Sequence, residues 1–281
     1  MGTPSAGPSI TLGAPAAIKP ASRRADFTVE EHDTLIEWHG YRLAWSRAAQ
    51  CPCTPLNGQT EQADPSCRLC EGAGYLYFNS REAQDDALLG ALSPVQQKIM
   101  GQGQARMIRG IMTGLGRSET PYDRLGRLPS GTANVTVRSQ NRIGYLDRLV
   151  ALDAFVVHTQ RVNTPADPQA PLPLRYLVDG GVNLLTSATQ RYMPDEDFVA
   201  TDGLVRWLPG RGPEPGTWLS AHYNCHPAYL VTEQPHASRL TYIRKAKGGL
   251  ATPEGTVVQM PLMASVRLDW LVGDETRGVA P

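Results

Sequence analysis

Four of the five cysteines lie within 20 residues, as Cys51-Pro52-Cys53 and, after a spacer of 13 residues, Cys67-Arg68-Leu69-Cys70, which runs on into Glu71-Gly72-Ala73-Gly74-Tyr75. Two close pairs on two turns can bring four thiolates to the corners of a tetrahedron about 2.3 Å from one zinc ion, and the spacer is long enough to close. Gly72 and Gly74 free the backbone to turn its amides toward the sulfurs. The first pair is Cys-x-Cys where Cys-x-x-Cys is more usual; it can still ligate one metal, whereas a disulfide between Cys51 and Cys53 would be strained. Two disulfides across the pairs, an iron–sulfur cluster and plain buried thiols are the other readings of the same residues. Synthesis in a cytosol favours metal over disulfide. Four thiolates leave no position for water, so the ion is expected to be structural and to fasten a loop that has little core of its own.

The fifth cysteine stands in His222-Tyr223-Asn224-Cys225-His226, which superficially suggests a second metal site. On a strand His222, Asn224 and His226 share one face while Cys225 points to the other. A buried thiol flanked by half-exposed histidines is therefore expected. Asp195-Glu196-Asp197 lacks the spacing of an EF-hand loop and reads as a solvated turn. The chain holds no Gly-x-Ser-x-Gly elbow, no Gly-x-x-x-x-Gly-Lys phosphate loop, no His-Glu-x-x-His and no dinucleotide fingerprint after a strand. A noncatalytic protein is expected.

The elements that must position the cysteines are legible around them. Thr28 and Glu31 form a candidate capping box for a helix that ends near His39-Gly40. Tyr41 to Arg47 then alternates as a half-buried strand and leads straight into Cys51. Ser80 to about Met112 is read as one short helix, interrupted at Ser93-Pro94, followed by a glycine-loosened loop. From Ala133 onward β-branched and aromatic runs at 134–138, 149–162, 174–178, 204–208, 218–233, 240–244 and 257–272 are separated by turn residues such as Asp179-Gly180-Gly181 and Asp202-Gly203. The fold class predicted is mainly β: an antiparallel sandwich or barrel-like C-terminal domain, with a small α+β N-terminal part carrying the four-cysteine zinc-type loop. The divisions expected are an extended arm over 1–25, a helix–strand unit with the metal loop over 26–95, a Gly/Arg-rich connecting loop over 96–132 and a β-rich domain over 133–281. The arm is rich in Pro, Ala, Gly and Ser and is expected to order only against a partner.

The 281 residues carry 27 basic and 27 acidic side chains, and only four of the basic ones are lysines. Arginine suits bidentate contacts to carboxylates at interfaces, and a GC-rich coding sequence would give the same bias. The neutrality is an average, because residues 1–97, 98–148 and 149–281 carry net charges of −4, +6 and −2. The basic centre, with Arg106, Arg109, Arg117, Arg124 and Arg127, is a candidate either for pairing with acidic neighbours or for facing a DNA path. The start lacks a leader pattern, and no apolar run approaches the roughly 18 residues of a membrane span. Synthesis in a cytoplasm without membrane insertion is expected.

The stretch from Arg191 to Pro209, followed by Gly216 to Tyr223, resembles a pattern common in structural proteins of tailed bacteriophages. It reads as a β-hairpin module: a strand at Phe198, a turn at Asp202-Gly203, a strand through Val205 and Trp207, a Pro-Gly loop and a long return strand. His226 to Val231 and the cysteine-bearing segment from Tyr41 to Tyr77 are similar to parts of virion proteins near the head-to-tail joint. The resemblance extends over about half of the chain. It implies a noncatalytic neck or collar component, made in the host cytoplasm and located in the virion. It implies as partners other copies of itself in a ring, the portal or connector and the tail proteins, with passive contact to the DNA path. A place in the baseplate or elsewhere in the tail is the alternative. The competing class is a zinc-ribbon nucleic-acid-binding protein, which needs basic and aromatic residues beside the cysteines. Residues 51–77 offer Arg68 alone against Glu61, Asp64 and Glu71.

Overall fold

The computed structural model describes residues 29–53, 64, 66–70, 74–78, 92–102, 105–114, 131–233, 240–244 and 255–276. The expected arm lies outside these residues, as do Arg117, Arg124 and Arg127. Among the described residues, strands outnumber helices fifteen to three, and the expectation of a mainly β protein holds.

Two-residue alternation builds the first layer. In Thr132–Val137 (β4) the side chains of Ala133, Val135 and Val137 are buried, and in Leu262–Leu268 (β15) those of Leu262, Ala264 and Val266, the period of a sheet packed on one face. These strands join Tyr41–Gln50 (β1), Arg106–Gly114 (β3), Arg148–Ala151 (β5) and Ala228–Glu233 (β12) in the order β1-β3-β4-β15-β12-β5, and β5 pairs back with β1. The result is a closed six-stranded antiparallel barrel. At Leu43 both edges of β1 are taken, by Ile108 of β3 and by Ala151 of β5. Leu43, Trp45, Ile108, Val135, Leu149 and Val266 are among the side chains that fill the interior. A further strand, Tyr75–Phe78 (β2), pairs with the far end of β1 from Arg47 to Gln50.

The second layer is a four-stranded sheet, ordered β6-β11-β7-β8 from Val156–Asn163 (β6), Val178–Thr186 (β7), Arg191–Tyr192 (β8) and Trp218–Cys225 (β11). Its inner side chains, including Leu185, Leu219, Tyr223 and Cys225, share a core with Ala44, Met107, Val150 and Ala228 on the outside of the barrel wall. The strands of that wall are therefore packed on both faces, which is why Leu43, Ala44, Trp45 and Ser46 are all buried in a row. Phe198–Thr201 (β9) and Leu204–Trp207 (β10) form the hairpin expected, closed by Asp202 at φ 53° and Gly203 at φ 79°, the positive pair of a two-residue turn. A further hairpin joins Leu240–Arg244 (β13) to Gly255–Gln259 (β14).

Several expectations are corrected here. Ser93-Pro94 starts a helix, Pro94–Gln102 (α2), while the helix expected from Ser80 falls at 80–91, outside the described residues. The Ser93 hydroxyl accepts from the Gln96 amide at 3.1 Å and the Gln96 side chain accepts from the Ser93 amide at 3.1 Å. This is a reciprocal capping box with proline in the first turn, where its missing N–H costs nothing. The glycine-loosened stretch after it is strand β3, because the partners on both sides satisfy its backbone whatever its intrinsic preference. Asp179-Gly180-Gly181 lies inside β7, with both glycines at positive φ, beside an irregularity in the pairing of β7 with β11. Residues 174–177 are not a strand, and the run expected to stay extended to 272 turns helical at Asp269–Thr276 (α3). The barrel takes β1 from within 26–95, β3 from within 96–132 and β4 from 132–137, where the last two expected divisions meet.

The expected first helix is present as Val29–His39 (α1), and its end is pinned to the barrel by two glycines. The Gly40 N–H donates to the Ile36 carbonyl at 2.8 Å. A Cβ on Gly40 would stand 2.4 Å from that carbonyl oxygen and 3.1 Å from the Gly110 nitrogen, both backbone atoms with nowhere to go. Gly40→Ala is expected to cost about 2 kcal/mol and to lower Tm by roughly 4–8 °C. Gly114→Ala, whose Cβ would meet nothing within 4 Å, is expected to stay within about 0.5 kcal/mol. Thermal melts of the two variants, followed by circular dichroism, check the pair.

Candidate metal centre

β1 and β2 deliver the cysteines. The ladder runs from Arg47 opposite Phe78 to Gln50 opposite Tyr75, and Cys51 N–H donates to the Gly74 carbonyl at 2.8 Å, tying the neck of the excursion one step beyond the last paired residues. Cys51 thus begins where the barrel's most constrained strand ends. On the other side of the excursion, the Asp64 carboxylate accepts from the backbone N–H and the hydroxyl of Ser66, at 2.8 and 2.6 Å. Those two donors hold its carboxyl below the usual range. The Asp64 carbonyl accepts the Cys67 N–H at 3.0 Å, which opens the turn carrying Cys67 and Cys70.

The structure brings all four predicted ligands together. Their sulfurs lie within 4.8 Å of one another, with Cys51 to Cys67 at 3.8 Å and Cys53 to Cys70 at 3.5 Å. A tetrahedron of sulfurs at about 2.3 Å from one ion has edges of about 3.8 Å, whereas a disulfide needs about 2.05 Å. All four are free thiols. Cys51 and Cys70 are buried and Cys53 and Cys67 half-buried, so the cluster has a shielded floor and a side open to an arriving ion. The four cysteines could hold a metal ion.

The thiols are electrostatically unequal. Backbone N–H groups of Cys70 and Leu69 point at the Cys67 sulfur and bring its pKa down to about 7, so part of it is thiolate at neutral pH. Burial and the neighbouring Cys51 sulfur push Cys53 up to about 12. At Cys51 the Cys53 backbone pulls downward, but burial and the sulfurs of Cys70 and Cys67 leave it raised overall. A divalent cation removes this conflict by neutralising charge that the thiols cannot share among themselves.

The remaining candidates behave differently. Arg109 is spent within the chain: its Nε lies 3.5 Å from Glu37 of α1 and its guanidinium donates to the Gly40 carbonyl at 3.2 Å. Arg106 sits on β3 opposite Trp45, half-buried. The second histidine–cysteine cluster does not converge. His222 faces Thr159, with Nδ1 3.2 Å from its hydroxyl, and Cys225 points into the core, where burial raises its pKa to about 12. His226, expected to be half-exposed, is instead buried. Its Nε2 lies 2.9 Å from Asp179 and its Nδ1 lies 3.2 and 3.0 Å from the carbonyls of Ala151 and Ala154. The strand ends at Cys225, so the two-residue period no longer governs the next side chain. Asp195 to Asp197 is a turn, as expected, with the Asp197 carboxylate accepting the Met193 N–H at 2.8 Å. Among the described residues no other group of His, Cys, Asp and Glu gathers in this way.

One residue that supports the centre was not foreseen. Asp147, buried just before β5, accepts from the Trp45 indole at 2.7 Å, the Ala48 N–H at 2.9 Å and the Gly144 N–H at 2.6 Å. It fixes the last part of β1 before the cysteines begin. A lone aspartate in Gly-Tyr-Leu-Asp carries no spacing signal that could have revealed it.

Elemental analysis of protein purified under reducing conditions is expected to find about one metal ion per chain; less than about 0.3, with thiols blocked as disulfides, would overturn the assignment. Protons compete with the ion for sulfur, so acid releases it and alkali does not. Stripping the ion at neutral pH is expected to speed hydrogen exchange at Tyr75–Phe78 while the far-ultraviolet spectrum of the barrel is kept. The chain matches no protein-family model and no curated protein, so the chemistry of this centre rests on its geometry and on that measurement.

Proposed function

We propose that the chain is a noncatalytic structural component of a tailed-bacteriophage virion, part of a neck or collar ring at the head-to-tail junction, with zinc as the ion at Cys51, Cys53, Cys67 and Cys70. The observation that carries the noncatalytic reading is the closure of the thiol centre: four sulfurs within 4.8 Å complete a tetrahedral sphere and leave no position for water or substrate. Zinc is favoured over an iron–sulfur cluster because a single ion fits sulfur separations of 3.5 and 3.8 Å, which leave no space for bridging sulfides. The virion assignment is supported by the resemblance of 191–209 and 216–223, whose hairpin has the expected turn at Asp202-Gly203. A closed barrel without free strand edges, stiffened by a second sheet, suits a part that bears load without changing shape. The partners on this reading are further copies of the chain, the portal or connector and tail proteins, with the baseplate as the alternative position. Among the described residues no helix is long and apolar enough to cross a membrane.

A nucleic-acid role draws little support at the cysteines, since Arg68 is the basic group beside them and Arg109 is engaged with Glu37. Purified protein is expected to form ring-shaped particles in negative stain. In filter binding it is expected to hold duplex DNA weakly, with no steep dependence on salt. A slope of log affinity against log salt of about −5 or steeper would mark several phosphate contacts and would replace the neck reading by the nucleic-acid one.

A further inference from the structure

Where the barrel wall meets the second sheet lies a small cavity with two unlike walls. β5 alternates, so Leu149 fills the barrel while Arg148 and Val150 face outward. Residues 175–177, which lead into β7, and Ile99 of α2 complete the lining around a volume of about 90 Å³. Arg148 and Arg175, with His226 between the layers, make the polar side; Ile99, Val150 and Leu177 make the apolar one.

These walls are held by contacts of their own. Gln96 Nε2 donates to the Leu152 carbonyl at 2.7 Å and ties α2 to the end of β5. Lys98 Nζ donates to the Asp202 carbonyl at 3.0 Å and lies 3.3 Å from the Asp202 carboxylate, so Ile99 sits beside a second tie and Lys98 is spent. The Arg175 guanidinium lies over the Tyr176 ring, 5.5 Å from its centroid, and the Arg175 N–H donates to Gln160 Oε1 at 3.1 Å.

The charge of the two arginines is only partly answered. Of the Asp269 carboxylate, one oxygen accepts from the Tyr176 hydroxyl and the other lies 3.5 Å from Arg148 Nε, beyond the roughly 2.7–2.9 Å of a charge-assisted bond. Arg175 donates to the Asp269 backbone carbonyl, at 3.4 Å, and not to its carboxylate. Asp179 is taken by His226. Nδ1 of that histidine faces the carbonyls of Ala151 and Ala154, which only accept, so it donates, and the proton between Nε2 and Asp179 leaves the pair neutral as a unit. Among the described residues, two guanidiniums therefore answer to one carboxylate. The positive charge left over borders an apolar wall, where low dielectric strengthens its pull on an anion, and a planar guanidinium matches a planar carboxylate. An apolar cavity of about 150 Å³ takes the six heavy atoms of benzene, so on the same scale this one takes about four, a carboxylate and one carbon.

We propose that this cavity is a binding site for an acetate-sized carboxylate, with its oxygens on Arg148 and Arg175 and its carbon against Ile99, Val150 and Leu177, whether or not the chain assembles into rings. Free acetate and the aspartate side chain of another protein present the same group.

The test follows the methyl groups of Ile99, Val150 and Leu177 by carbon-13 NMR of the full chain at constant ionic strength. Acetate is expected to move them saturably, with a Kd on the order of 1 mM, within the ceiling for a ligand of four heavy atoms. Acetamide, the same shape without the charge, and chloride are expected to bind at least about 10-fold more weakly. Arg175→Gln, at an exposed position, is expected to keep the fold and to weaken acetate about 10-fold or more. Arg148→Gln is expected to do the same; if it unfolds, Arg175→Gln carries the test. A capped aspartate, acetylated at its nitrogen and amidated at its main-chain carboxyl, that moves the same methyls at similar concentration identifies a protein side chain as the ligand. Binding of acetate alone identifies a free acid, and both results keep the site. Methyls unmoved up to about 50 mM acetate, equal binding of acetamide or of chloride, or unchanged acetate affinity in Arg175→Gln each overturn the proposal.

Discussion

Ten residues of β1 have more partners than a strand ordinarily needs, and the rest of the structure depends on it. Between Leu43 and Trp45 both edges are hydrogen-bonded, to β3 and to β5, and this double pairing turns an open sheet into a barrel with no free edge. Both faces are used too: Leu43 and Trp45 fill the barrel while Ala44 enters the core shared with the second sheet. Such a strand can neither slip by one residue, which would exchange its two faces, nor peel from an edge. Its continuation into Cys51 gives the thiol centre a fixed origin, so the first ligand is placed by the barrel before any ion arrives.

Buried polar groups lock the layers together at positions where apolar packing alone would leave their relative placement loose. Asp147 gathers donors from β1 and from the turn at Gly144. Asp269, at the start of α3, accepts from the Tyr176 hydroxyl and lies 3.5 Å from Arg148 Nε, joining the C-terminal helix to both layers. Burial and the Asp269 carboxylate hold the Tyr176 phenol far above its ordinary pKa, which keeps it a donor. His226 spans from the end of β5 to Asp179 on β7, its two ring nitrogens both facing oxygen. An unmet partner at any of these places would cost on the order of 1–3 kcal/mol, so each contact rejects alternative placements of the sheets more than it adds net stability.

The pattern of what could be foreseen follows from the range of each interaction. The cysteine quartet, α1, the start of β1 and the Asp202-Gly203 hairpin were legible because spacing, two-residue alternation and turn chemistry act over a few residues, while the Thr28 cap lies outside the described residues. β3 was not, because its glycines and arginines favour no strand locally and only Leu43 on one side and Val135 on the other make it one. Ser93-Pro94 has two local meanings, the end of one helix or the start of another, and Gln96 decides between them. The extended run to 272 failed at Asp269, whose buried partners come from Arg148 and Tyr176, far away in sequence. Barrel closure left no trace in the alternation pattern, since a closed and an open antiparallel sheet have the same period of two.

The charge asymmetry along the chain has a similar history, and it bears on how the protein meets others. Two acidic groups of the first segment pair with two arginines of the basic centre: Glu37 lies 3.5 Å from Arg109 and 3.4 Å from Arg138, and Asp33 lies 3.7 Å from Arg138. Half-exposed pairs of this kind contribute roughly 0–1 kcal/mol each, but they fix which side of α1 lies on β3 and β4. They also consume basic groups that would otherwise attract phosphate from a distance. Among the described residues, Trp38 on α1, the barrel mouth, and Leu69 with its neighbours at the metal end remain as surface that water covers badly. Apolar contact does not act at long range, and it rewards only partners that fit. With these charges paired within the chain, apolar surface rather than long-range charge is what the described barrel ends offer, and such surface discriminates by fit.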